Sequence, residues 1–156
     1  MSVRIEIERA QDIGDAVPGD AALKGWLREA LVGIEADVEL GVRIVGEDEG
    51  RRFNRDYRGS DYATNVLSFR ADKLPDLSPR PIGDLLFCAP VVAREAEEQG
   101  KPANAHWAHL CIHGVLHLLG HDHEVEEEAR LMEGLEVEIL ARLGYQDPYR
   151  AGARGN

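Results

Sequence analysis

No histidine occurs in this chain before His106 or after His123, although it contains six. Such crowding demands a chemical cause, and other scarcities narrow what that cause can be. The two cysteines, Cys88 and Cys111, stand far apart in apolar stretches and read as buried free thiols in a reducing compartment. No apolar run approaches the roughly 18 residues of a membrane span. Met1-Ser-Val-Arg-Ile-Glu lacks the apolar core of a secretion signal. A cytoplasmic protein with no membrane partner is expected. Internal repeats, linkers and low-complexity tracts are absent too. Positive charge is in deficit: 18 Lys and Arg face 29 Asp and Glu, a net charge of −11. That excludes nucleic-acid binding by the surface as a whole. The deficit is uneven, however. Arginines gather between Arg51 and Arg70 while glutamates crowd Glu124 to Glu138, so a local basic face remains open to a phosphodiester.

At 156 residues, 44% apolar and 30% charged, the chain suits one ordinary globular domain that buries about 70% of its unfolded surface. Val3 to Glu8 and Val38 to Val45 alternate apolar and polar residues at the strand period. Asn65 to Phe69 and Ile82 to Cys88 are two further strands. Asp20 is expected to cap a helix carrying Leu23, Trp26, Leu27, Ala30, Leu31 and Ile34. Helices are also predicted over Glu47–Tyr57, from Pro90 to Gln99, over Ala103–Leu119 and over Val125–Leu143. The fold expected is α+β: one small domain over residues 1–145, with a roughly four-stranded mixed sheet covered by helices, followed by a flexible tail over 146–156.

The histidines carry the chemistry. His113 and His117 lie four apart, so one helical face presents both imidazoles. Gly120 is the residue best able to end that helix in a left-handed conformation. The chain can then double back and bring His123 to the same point. Three nitrogen ligands with one position left over is the pattern of a catalytic zinc site on a helix-turn, and such a zinc lowers the pKa of its water toward about 7. One Zn2+ per chain is expected, although other divalent transition metals also accept imidazole. Ligand imidazoles need their second nitrogen held, and Asp84 or Asp122 can do this. His109 also lies four residues from His113, but a straight helix sets His109 and His117 about 12 Å apart. It is read as an outer partner or a polar contact. His121 is expected to point away and His106 to face solvent.

The run has the skeleton H-E-x-x-H-x-x-G-x-x-H of the metzincin proteases, but Gly114 stands where their catalytic glutamate would be. A glycine cannot serve as a general base. The site therefore reads as a metal hydrolase other than a standard protease.

A second polar stretch, Asn54 to Asp61 followed by Thr64-Asn-Val-Leu-Ser-Phe69, leads into a strand. With Gly83-Asp84-Leu85 and the histidine run, it resembles the YbeY family of bacterial metal-dependent endoribonucleases. His-Gly-x-Leu-His-Leu-x-Gly-x-Asp-His is met from His113 to His123, and the ordered motifs span about residues 40 to 140. Departures fall at Ala63 and Arg70, where the family usually has proline, and at His121, where it usually has tyrosine or phenylalanine. The resemblance implies cleavage of single-stranded RNA, maturation of the small-subunit ribosomal RNA 3′ end and ribosome quality control. It implies a three-histidine metal and a functional arginine, which maps onto Arg58. A guanidinium there can clamp a phosphate and stabilise charge developing on it. An ion pair of Arg58 with Asp56 or Asp61 is the competing reading. The general base is left open among hydroxide on the metal, His109 and Asp84. Two rival functions stay in play: a ribosome-assembly factor whose metal is chiefly structural, bound to the small subunit or its proteins, and a metal hydrolase of a non-RNA substrate.

Overall fold

A computed structural model describes residues 2–72, 77–122 and 124–149. In chain order the elements are β1 (Val3–Arg9), α1 (Asp20–Ala30), β2 (Val38–Val45), α2 (Glu47–Arg58), β3 (Val66–Arg70), β4 (Arg80–Cys88), α3 (Ala89–Glu98), α4 (Ala103–Leu118) and α5 (Glu126–Arg142). The four strands form one mixed sheet in the order β1-β2-β4-β3. β1 and β2, and β2 and β4, run parallel, whereas β3 runs antiparallel to β4 and forms one edge of the sheet. The expected α+β domain is what the chain adopts.

Alternation sorts the side chains onto the two faces of the sheet. Val38, Leu40, Val42 and Ile44 of β2 join Leu85 and Phe87 of β4 in the main core, with α1 and α4. The opposite face holds a smaller apolar group, Val45, Leu67 and Leu86, flanked by Phe53 and Phe69. Within the main core α4 is buried on nearly every side: Trp107, Ala108, Cys111, Ile112 and Val115 are all 1% exposed or less. A helix apolar all round belongs inside a protein. Trp107 stacks near Phe87 with ring centroids 5.4 Å apart, and replacing it with alanine would cost about 3–5 kcal/mol. Both cysteines are buried and free, and burial pushes both thiols above their ordinary range.

Two local expectations need correcting. Gly19, not Asp20, caps α1. Asp20 already lies inside the first turn, and its carboxylate accepts hydrogen bonds from Arg9 at 2.6 and 3.1 Å instead. The helix also stops at Ala30 because Gly33 turns the chain with φ 93°, and Ile34 reaches the core from the loop beyond.

Candidate functional site

The site is assembled around the last turns of α4. Gly120 has φ 102°. Its N–H bonds to the His117 carbonyl at 3.0 Å, and the His121 N–H bonds to the Leu116 carbonyl at 3.0 Å. These paired bonds form the Schellman stop, so the helix ends where the sequence placed its reversal. His123, the proposed third ligand, lies outside the described residues.

His113 and His117 come together as expected, with their Nε2 atoms 3.1 Å apart. A tetrahedral ion with ligands at 2.0–2.1 Å would separate two nitrogens by about 3.3–3.4 Å, so this pair fits a shared metal. Among the described residues no group of three or more metal-binding side chains is complete.

The residue that orients this pair is Glu136, which sequence reasoning missed. It is fully buried, and its Oε2 lies 2.6 Å from Nδ1 of His113. A carboxylate only accepts, so Nδ1 carries the proton and Nε2 keeps its lone pair for the cleft. The Tyr149 hydroxyl donates to the other carboxylate oxygen of Glu136, and His109 Nε2 donates to the Tyr149 oxygen at 3.1 Å. Burial works to raise the Glu136 carboxyl, but the hydrogen bonds from His109 and His113 override it and bring the pKa down to about 2. His109 moves below its ordinary range because burial outweighs the attraction of Glu136. Tyr149 moves up through burial and its bond to Glu136, so the phenol keeps its proton. Tyr149 falls within the stretch read as a tail; residues 150–156 lie outside the described residues. A signal for Glu136 existed: Met132, Glu136 and Leu140 share one helical face, and both neighbours are core residues.

The other wall of the site comes from β3. A cleft of about 650 Å³ is lined by Tyr57, Arg58, every residue from Thr64 to Arg70, His113, His117, Asp122 and Glu124. Alternating side chains cannot all face one cleft unless it runs along the edge of the strand. Ser68 Oγ donates to the Gly114 carbonyl at 3.4 Å and Arg70 Nε to the His117 carbonyl at 2.8 Å, which tie this edge to α4. Gly114 permits that closeness: a Cβ there would lie 2.8 Å from a methyl of Leu85. Packing against Leu85 therefore favours glycine at this position.

Asn54 explains the segment before β3. It is 2% exposed and its amide donates to the Tyr62 carbonyl at 2.7 Å, holding the loop that follows α2. Arg58, the last residue of that helix, consequently reaches the cleft. The ion pairs weighed for it go elsewhere: Asp61 binds Arg51 at 2.8 Å and Asp56 lies 3.5 Å from Arg55.

Two expectations, for Asp84 and His106, are not met by the geometry. Asp84 pairs with Phe69 across the β3–β4 ladder and lines the opposite sheet face beside Gly41 and Arg43, so the sheet separates it from the histidines. His109 is the polar contact expected outside the ligand pair: its Nε2 lies 3.1 Å from the Tyr149 oxygen and 3.4 Å from Glu136 Oε2, and it does not line the cleft. His106 does not face solvent; it is 3% exposed and its Nε2 lies 2.9 Å from Glu95. Asp122 does line the cleft, and its carboxylate accepts the Glu124 N–H at 3.3 Å.

Comparison with known proteins covers nearly the whole chain. Residues 9–144 match the family model described as endoribonuclease YbeY. A Pseudomonas putida protein of that name is 55% identical over 148 residues, 94% of this chain and 93% of the relative. One from Alkalilimnicola ehrlichii is 59% identical over 138 residues, 86% and 83% of the two chains. A Thermotoga maritima protein solved in solution superposes with a TM-score of 0.57 at 27% identity, covering 95% of this chain and 99% of the other.

Proposed function

Because the chain belongs to the endoribonuclease YbeY family, we propose that the cleft between β3 and α4 cuts single-stranded RNA with one zinc ion held by His113, His117 and His123. Cleavage of RNA comes with the family. Zinc, strand preference and the ribosomal target are the proposal. Its substrate is ribosomal RNA at the small-subunit 3′ end, handled in the cytoplasm on or near that subunit during maturation and quality control, as the motif resemblance implies. Among the described residues no helix is long and apolar enough to cross a membrane.

One observation carries the reading. Two imidazole Nε2 atoms 3.1 Å apart share a cleft with an arginine whose candidate carboxylate partners are occupied. A zinc ion there would supply a Lewis acid and an acidified water. The chain's own residues do the rest. Glu136 fixes the His113 tautomer, and Gly120 turns the chain after the ligand pair. Hydrolysis joins a water oxygen to phosphorus and breaks one P–O ester bond, while negative charge grows on the remaining phosphate oxygens. Arg58 meets that charge with two parallel N–H donors. Neither His109 nor Asp84 lines the cleft, so neither is assigned proton transfer.

The test pairs metal analysis with cleavage of a labelled single-stranded RNA. Arg58→Ala should retain zinc and lose about 10²–10³-fold in kcat, while metal-free wild type should be inactive. Cleavage by the metal-free protein, or an Arg58→Ala variant with unchanged kcat, would overturn the reading. A metal-free protein that unfolds would instead favour the rival in which the metal is chiefly structural.

A further inference from the structure

Arg70 is the last residue of β3, next to Phe69, and it lines the same cleft as Arg58. Its Nε is committed to the His117 carbonyl at 2.8 Å. No hydrogen bond or ion pair engages its two terminal nitrogens among the described residues. The guanidinium is thus anchored at one nitrogen with its fork free, the arrangement that binds a phosphate at low ordering cost. Elsewhere on this acidic chain, Arg9, Arg43, Arg51, Arg94 and Arg142 are spent on carboxylates. Asp122 and Glu124 also line the cleft, which leaves Arg58 and Arg70 as the cations able to hold a polyanion there.

One wall of this cleft is the edge strand β3. Val66 to Arg70 spans about 13 Å at strand rise, roughly four stacked nucleotides at 3.4 Å each. Tyr57, the residue before Arg58, is 66% exposed, with its ring against Phe53 and Phe69, an aromatic surface next to the Arg70 end of β3 on which a base can stack.

Resting on the ribonuclease reading, we propose that Arg70 is a substrate-binding residue: it takes a non-scissile phosphate of a single-stranded RNA lying along the edge of β3, so that the cleft grips the strand at a phosphate other than the one that is cut. Arg70 does not touch the reacting phosphate; its role is to set the register of the strand. The proposal gives function to a position where the chain departs from its family's usual proline.

The experiment measures kcat and KM of the zinc-loaded protein on an oligouridylate across a salt series, with the dinucleotide UpU as a substrate too short to span the edge. Arg70→Gln should raise the oligouridylate KM roughly ten-fold and flatten its log–log salt dependence by about 0.7, the release expected from one single-strand phosphate contact. The loss should fall on KM rather than kcat, and far less of it should appear with UpU. Arg70→Lys should restore the salt slope but only part of the KM, because it keeps the charge and lacks the fork. A merely structural tie to His117 would lower the melting temperature or kcat and leave the salt slope alone; that result overturns the proposal, as does an Arg70→Gln variant matching wild type on oligouridylate. If the wild type itself cuts no RNA, the ribonuclease reading fails and this one with it. If the wild type cuts and Arg70 makes no difference, only this inference falls.

Discussion

Two of the histidine–carboxylate pairs on α4, His106–Glu95 and His113–Glu136, lie two helical turns apart and do opposite things. At its start, His106 presents Nε2 to Glu95 at 2.9 Å. Glu95 also accepts from Asn65 at 3.0 Å, and His106 Nδ1 is buried with no hydrogen-bond partner among the described residues. That pair is closed. Near the end, His113 gives Nδ1 to Glu136 at 2.6 Å and keeps Nε2 beside that of His117. The residue types are identical, so composition cannot tell structural from functional. What differs is which ring nitrogen the carboxylate takes, because that decides whether the reactive tip of the imidazole faces the interior or the cleft.

The largest break in this comparison is His113→Ala. It should abolish RNA cleavage, by at least about 10³-fold, and remove zinc measured by atomic absorption, with circular dichroism unchanged. His106→Ala should retain both zinc and cleavage. Next comes Glu136→Gln, which keeps the shape but no longer forces the Nδ1 tautomer. Zinc affinity should fall about 10–100-fold in a competitive chelator titration; an unchanged affinity would mean that Glu136 only fills space.

Glu95→Gln should instead cost about 1–3 kcal/mol in urea unfolding and leave zinc affinity alone. It also carries a pH signature. Burial raises the Glu95 carboxyl, but the His106 and Asn65 hydrogen bonds win and hold it below its usual value of 4.5. A carboxyl depressed on folding stabilises above its unfolded pKa, and that stability disappears as pH falls through the folded value. Unfolding followed from pH 6 downward should therefore show a loss below about 4.5 in wild type that is diminished in Glu95→Gln. The smallest effect belongs to Tyr149→Phe, which deletes one donor to Glu136 and should weaken zinc binding only a few-fold, about 1 kcal/mol.

Much of this was legible in the sequence, for local reasons. Strand alternation in Val38–Val45 and the helical spacing of His113 and His117 depend on neighbours within a few residues, and Gly120 announces its own turn. Asp84 and Glu136 show where local reading stops. The side of the sheet taken by Asp84 follows from Leu85 beside it pointing into the core, but only once α4 is known to cover that side. Glu136 was hidden in an acidic run that looked like a solvated face; its register with Met132 and Leu140 was the clue. Tyr149 depends on how residues beyond α5 fold back, which no periodicity records. His106 looked exposed because it opens a helix, yet α3 supplies Glu95 across the space.

Gly114 has a consequence for what this scaffold can become. On paper, one codon separates the histidine run from a peptidase motif, since glycine and glutamate codons can differ by a single base. In three dimensions the positions are further apart. A side chain at 114 meets Leu85 of the central sheet at once, and on the same turn the Gly114 carbonyl receives Ser68 from the substrate wall. Acquiring the proteolytic glutamate would require the buried Leu85 side chain to shift, at a cost in packing. The two motifs thus sit one mutation apart in sequence, with a repacking of Leu85 between them in the fold.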